Sequence, residues 1–114
     1  MPHYMLLLHD DGKAWAKLSP EELQKATEKY MAWRQKPFAV DGKRLTESGR
    51  LVQKKSNGID VSDGPFAEGK EVLGGYYTIE AANYDEAVKL ALTNPHVDFG
   101  TIEVREVMPR PDQN

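Results

Sequence analysis

His3-Tyr4-Met5-Leu6-Leu7-Leu8-His9, closed by Asp10-Asp11-Gly12, is the stretch that decides how this chain folds. Its shortness and the turn chemistry behind it favour a buried strand over a helix. Tyr4, Leu6 and Leu8 share one parity, and Met5 and Leu7 hold the other. A strand that is apolar on both parities expects burial on both faces. Helices on one side satisfy half of that demand, and the other half needs a second layer.

Working outward, Ser19-Pro20-Glu21-Glu22 has the form of a helix start. Ser19 is the cap, Pro20 takes the first helical position, and Glu22 can reach back to the cap's own N–H. Leu23, Ala26, Thr27, Tyr30, Met31 and Arg34 then recur at helical spacing, and Pro37 ends the helix. Trp33 reads as a packing residue of this helix and Trp15 as a contact on the lid side. Residues 38–48 read as irregular, with Asp41-Gly42 as a turn, while 50–55 and 59–62 form a hairpin about Ser56-Asn57-Gly58. After a loop over 63–71, residues 72–81 form a strand. Asn83-Tyr84-Asp85-Glu86 then opens a helix with Ala87, Val88, Leu90, Ala91 and Leu92 as its apolar face, and Asn94-Pro95 stops it. The last strand covers 101–108, with Ile102 and Val104 alternating against Glu103 and Arg105. The order β-α-β-β-α-β, expanded in the middle by a hairpin, predicts a ferredoxin-like α+β fold: an antiparallel sheet with both helices on one face. A second copy covering the open face would make a homodimer with facing sheets.

The chain has 114 residues, 39% hydrophobic and 29% charged, which suits one soluble domain over 1–109 and a polar, proline-broken tail over 110–114 that frays. A formal charge of −3 with scattered Lys and Arg speaks against a nucleic-acid partner. The absence of cysteine removes disulfides, thiolate metal sites and a cysteine nucleophile, and fits a reducing compartment. The opening apolar run is too short for a membrane span or signal peptide, so a cytoplasmic protein without a membrane partner is expected.

Asp63-Gly64-Pro65-Phe66-Ala67-Glu68, Lys70-Glu71, Leu73-Gly74-Gly75-Tyr76-Tyr77, Ile102-Glu103-Val104-Arg105 and Tyr4-Met5-Leu6-Leu7 together resemble the YCII-related proteins of the DGPF type, over nearly the whole chain. The resemblance implies the dimeric α/β-barrel superfamily. It also implies chemistry built on a His–Asp pair in a cleft, with lactone and small aromatic reactions in related barrels. DGPF-type proteins further resemble accessory modules encoded with, or fused to, extracytoplasmic-function sigma factors. Two positions depart from the pattern: His9 stands where an aromatic is common, and Gly69 where Thr or another side chain is usual.

Among candidate site residues, Asp63 has two readings. It is a general acid or base over a cavity, or an Asx-type turn former, with Pro65 fixing φ and Phe66 pinning the loop. Pairing with Lys70 would keep its carboxylate ionised. His9, at the end of the first strand, is either a base or a polar rim residue; His96, after Pro95, is read as solvated. No two histidines have metal-ligand spacing, and no metal or cofactor is expected. Glu103 and Arg105, two apart on a strand, share a face. Arg105 can clamp an anion, or the two can form a ladder that fixes dimer register. Tyr77 and Ile79 should pack inward, leaving Tyr76 to orient a ligand or fill the interface. The reading that follows is a small-molecule-binding homodimer with a cavity between its sheets. It would use metal-free acid–base chemistry such as isomerisation, lactone hydrolysis or elimination. Asp63 or His9 would move protons, and Tyr76, Arg105, Glu103 and Phe66 would bind the ligand. The alternatives are a regulatory or accessory module acting with a sigma factor, and a structural dimer without a ligand.

Overall fold

A computed structural model describes residues 1–64 and 71–109. Strand β1 (His3–Asp10) leads through a one-turn helix α1 (Lys13–Ala16) to α2 (Pro20–Arg34) and β2 (Ala39–Arg44). Strands β3 (Gly49–Lys55) and β4 (Gly58–Gly64) follow, then β5 (Val72–Glu80), α3 (Tyr84–Ala91), a 3-10 turn (Pro95–Asp98) and β6 (Thr101–Glu106). The main sheet has the order β2-β5-β1-β6, antiparallel throughout, and β3 and β4 form a separate two-stranded sheet. This is the ferredoxin-like arrangement, with the extra hairpin inserted between β2 and β5.

The local signals act as physical chemistry requires. Ser19 Oγ accepts from the Glu22 N–H at 3.1 Å, and Glu22 Oε1 accepts from the Ser19 N–H at 3.0 Å, so both halves of the capping box are made. The Ser19 N–H, and after it the Ser19 hydroxyl, hold the Glu22 carboxyl below its ordinary pKa. At α3 the box is split: Asn83 Oδ1 accepts from the Glu86 N–H at 2.9 Å, but Glu86 reaches past the cap to the Ala82 N–H at 3.1 Å. In the inserted hairpin, Lys55 faces Gly58 across a two-residue loop, and Gly58 takes the φ of +125° that a side chain would resist.

The core lies between the main sheet and the helices. Tyr4, Leu6 and Leu8 of β1 and Tyr77 and Ile79 of β5 are buried there with Trp33, Ala87 and Ala91. Parity therefore sends Tyr77 and Ile79 inward as expected. Trp33 meets Phe38 and Tyr77 edge-on at 5.1 and 4.8 Å, and its Nε1–H donates to Thr93 Oγ1 at 3.0 Å. Ile102 and Val104 pack against the same core. On the opposite face of the sheet, Met5, Leu7, Tyr76 and Thr78 are half-buried.

Two expectations need correction. Residues 39–44 form a strand and not an irregular segment, with Asp41-Gly42 inside it. Gly42 is there for clearance: a Cβ would stand 2.7 Å from Tyr77 Cδ1 and 3.2 Å from Arg34 Cδ. The apolar face of α2 is also divided. Ala26, Tyr30 and Trp33 turn to the core, while Leu23 and Met31 stay 41% and 63% exposed. On α3, likewise, Ala87 and Ala91 are buried but Val88 and Leu92 are exposed.

The radius of gyration is 16.4 Å, where a compact chain of this length would have about 13 Å. In the hairpin, β3 and β4 pair with each other and leave Val52, Ile59 and Val61 exposed. Core and hairpin should therefore respond differently to truncation. Urea unfolding should show Ile79→Ala losing about 2–5 kcal/mol, and Ile59→Ala, at an exposed site, staying within about 0.5 kcal/mol of the parent.

Candidate functional site

The space beside Met31 is a cavity of about 380 Å³ between α2 and the ends of β1, β2 and β5. Its floor is shaped by a break in strand register. Leu8 faces Gly75 and His9 faces Leu73, so Gly74 is left without a partner on β1. A Cβ on Gly75 would come within 2.9 Å of the Lys43 carbonyl oxygen, and one on Gly74 within 3.3 Å of Asp10 Oδ2. The glycines let the strands close up beside the cavity. Leu8, Tyr77 and Tyr30 give the cavity apolar walls, and Trp15 lines it from α1. Trp15 is fixed by stacking on Phe99, with ring centres 4.4 Å apart and planes 13° from parallel. Its short helix is set in place by Asp10 and Asp11, whose carboxylates accept from the Gly12 and Lys13 N–H groups at 2.9 Å each.

At the inner end stands His96, 2% exposed. Asn94 Oδ1 accepts from the His96 N–H at 2.9 Å, which tightens the 3-10 turn and directs the imidazole inward. His96 Nε2 lies 2.9 Å from the His9 carbonyl oxygen, and Nδ1 lies 2.8 Å from the Tyr30 hydroxyl. A carbonyl can only accept, so Nε2 carries the proton. In that tautomer Nδ1 is the acceptor of the Tyr30 O–H. Asp10 Oδ2 stands 4.0 Å from Nε2. Gly100 makes this possible: a Cβ there would collide with the His9 carbonyl oxygen and come within 2.9 Å of His96 Nε2.

Burial pushes the Tyr30 phenol far above its ordinary pKa; Tyr77 and the Asp10 carboxylate push it further, and Arg44 opposes them. Burial likewise pushes Tyr77 up to about 12, against the pull of Asn94 and Arg34. Both phenols are therefore protonated donors at neutral pH. Tyr77 donates to the Tyr30 carbonyl oxygen at 3.1 Å, and Tyr30 donates to the imidazole.

The reading of His96 as a solvated loop residue is thus overturned. Asn94-Pro95 ends α3, but it also starts the 3-10 turn that buries the next side chain. Asp10, read only as a turn residue, faces the cavity.

The YCII-related domain model matches residues 2–110. The chain belongs to the YCII-related family. An uncharacterised protein of Rhizobium meliloti (strain 1021) is 33% identical over 112 residues, covering 90% of this chain and 89% of that protein.

In this YCII-related protein the residues singled out from sequence are dispersed. Asp63 lies on β4 with its side chain 91% exposed, paired with Arg50 Nε at 3.2 Å across the hairpin. Phe66 and Lys70 lie outside the described residues. His9 Nε2 is 3.3 Å from Glu103 Oε1, and Arg105 Nε is 3.8 Å from Glu103 Oε2, so these three form a ladder along β1 and β6. Neither Asp63 nor any member of the ladder lines the cavity. Tyr76 does line it, and its hydroxyl donates to Asp41 Oδ2 at 3.3 Å. The Gly42 N–H, more than Tyr76, keeps the Asp41 carboxyl below its ordinary pKa. The signal for His96 was weak in the sequence because its partners are a hydroxyl 66 residues away and a main-chain carbonyl.

Two outcomes follow from this geometry. Gly100→Ala should displace the imidazole, and ¹⁵N NMR should show His96 leaving the Nε2–H tautomer that it holds in the parent. Alkaline pH should also destabilise the fold. The raised phenol pKa of Tyr77 contributes stability that is complete below pH 10, the unfolded value, and is lost as pH rises toward about 12. Urea midpoints measured between pH 9 and 12 should fall over that window, and Tyr77→Phe should flatten the fall.

Proposed function

We propose that this YCII-related chain binds a small organic molecule in the helix-side cavity and removes a proton from it through Tyr30, His96 and Asp10. The observation that carries the reading is the 2.8 Å bond between the Tyr30 hydroxyl and Nδ1 of a buried imidazole at the wall of that cavity. A proton from a ligand O–H or activated C–H passes to the Tyr30 oxygen as the Tyr30 proton passes to His96 Nδ1. Tyr30 is never left as phenolate, which suits a phenol whose ionisation is opposed by burial. The imidazolium keeps its Nε2–H bond to the His9 carbonyl, and the Asp10 carboxylate at 4.0 Å offsets its charge. The logic is that of a nucleophile–histidine–carboxylate triad turned to proton transfer. A His–Asp pair in a cleft is also what the family resemblance led one to look for. In this proposal His96 and Asp10 take that role in place of the Asp63 and His9 expected from the sequence. The class of reaction that fits is isomerisation or elimination begun by proton abstraction.

The open sheet face supports a second part of the reading. Met5 and Leu7 stand there beside the His9–Glu103–Arg105 ladder, half-buried in the single chain. A second copy meeting that face would bury them, and the ladder would set its register. Light scattering at micromolar concentration should give twice the chain mass, and a monomer would overturn the dimer while leaving the cavity chemistry untouched.

A metabolite screen by thermal shift, followed by ¹H NMR of the hits in D₂O, tests the chemistry. The parent should exchange or convert a C–H of at least one bound hit. Tyr30→Phe and His96→Gln should slow that step by about 10²–10⁴-fold. Turnover that survives both substitutions would overturn the assignment.

A further inference from the structure

The cavity lies in an acidic protein, yet a cation stands over its mouth. We infer that the cavity selects a flat monocarboxylic acid, with Arg44 clamping the carboxylate and the ring of the ligand lying against Leu8, Tyr30 and the glycine floor. This rests on the reading of the cavity as a ligand site and adds the class of ligand to it.

Three cationic residues line the space, and they are not equivalent. Arg34 is committed, with Nη2 3.6 Å from Asp41 Oδ1 and donating to the Val40 carbonyl oxygen at 3.4 Å. Lys43 pairs with Tyr76, and strand alternation turns its side chain to the opposite face of the sheet from Arg44. Arg44 pairs with Gly75, which lines the cavity and carries no side chain to compete with the guanidinium. Its guanidinium carbon sits 5.4 Å from the centre of the Trp15 ring, and no carboxylate among the described residues comes within ion-pairing distance. Cation–π attraction to an indole holds a guanidinium without consuming its N–H donors, which stay available for bidentate recognition. Trp15 is itself anchored on Phe99, so the clamp starts from a rigid platform.

The charge pattern limits the ligand further. Asp10 and Glu47 also line the cavity, so a dianion such as a phosphate monoester would meet two carboxylates as well as the clamp. A monoanion held at Arg44 leaves its apolar body inside, facing Tyr30. Arg44 already acts on the Tyr30 phenol, opposing the rise in its pKa, so the clamp and the proton-transfer group lie within one electrostatic neighbourhood. A volume of about 380 Å³ accommodates roughly one or two rings.

The test uses two matched probes, 2-naphthoate and 2-naphthamide, on the full chain. Binding is followed by NMR at the Trp15 indole N–H and the Gly75 amide. The acid should bind at least about tenfold more tightly than the amide. Arg44→Gln should abolish that preference while leaving the amide's affinity unchanged, and Arg44→Lys should restore only part of it. Arg44 is exposed, so both variants should melt like the parent, and that melt is the folding control. Equal binding of acid and amide by the parent, or a preference that survives Arg44→Gln, would overturn the carboxylate inference and leave the cavity reading standing. If neither probe perturbs Trp15 or Gly75 at millimolar concentration, both readings fall.

Discussion

The hydrogen bond from His96 Nε2–H to the His9 carbonyl is the contact on which the candidate site depends. It joins the turn after α3 to the end of β1, bridging 87 residues of sequence. Because it occupies Nε2 with a proton, it leaves Nδ1 as an acceptor and so dictates which way the Tyr30 hydroxyl points. Because the ring must come close to the main chain of β1, the residue at position 100 cannot carry a side chain. The same approach sets the imidazole beside Asp10. Both nitrogens of this buried imidazole are thereby satisfied. A second proton on it requires a nearby carboxylate, and Asp10 is the one within reach.

The glycines of β2 and β5 belong to the same design. At Gly42 and Gly75 a Cβ would meet a neighbouring ring or main-chain carbonyl, so glycine is demanded by close packing of β2, β5 and α2. The cavity borders the strands where they close up, and Gly42, Gly74 and Gly75 line it. Leu73-Gly74-Gly75-Tyr76-Tyr77, part of the string that marks the family resemblance, therefore has a physical content. It breaks the register against β1, clears the floor, and resumes alternation so that Tyr77 closes the core.

The fold was largely legible because its signals are local. β1 declared itself by length and apolar content, α2 and α3 by their caps, the hairpin by Ser56-Asn57-Gly58, and the inward residues of β5 by parity. Misreading came where one residue type serves two purposes. Asp41-Gly42 carries turn chemistry, yet Gly42 is in mid-strand to clear Tyr77. The helical face of α2 was read as one stripe, but Ala26 and Trp33 meet the core while Thr27, Met31 and Arg34 overlook the cavity. Periodicity reports that a face is apolar, and it does not distinguish packing against protein from facing a space. His96 was hidden for a related reason. A histidine after Asn-Pro looks like loop, and only the three-dimensional approach of Tyr30 and the β1 carbonyl buries it.

The two faces of the main sheet thus divide their work by chemistry. On the helix side, several polar groups have a defined partner: imidazole with phenol and carbonyl, Asp10 with the Gly12 N–H, Arg34 with Asp41. There the local dielectric is low, and a proton moved by one hydrogen-bond length changes the energy of every neighbour. On the far face, His9, Glu103 and Arg105 stand partly in solvent, where ion pairs are weak and serve alignment better than stability. His9 touches both faces, its side chain joining the exposed ladder and its carbonyl holding the buried imidazole. A change that displaces the β1 main chain at His9, such as one that alters how Glu103 draws on its side chain, would reach His96 through that carbonyl without any contact to the cavity.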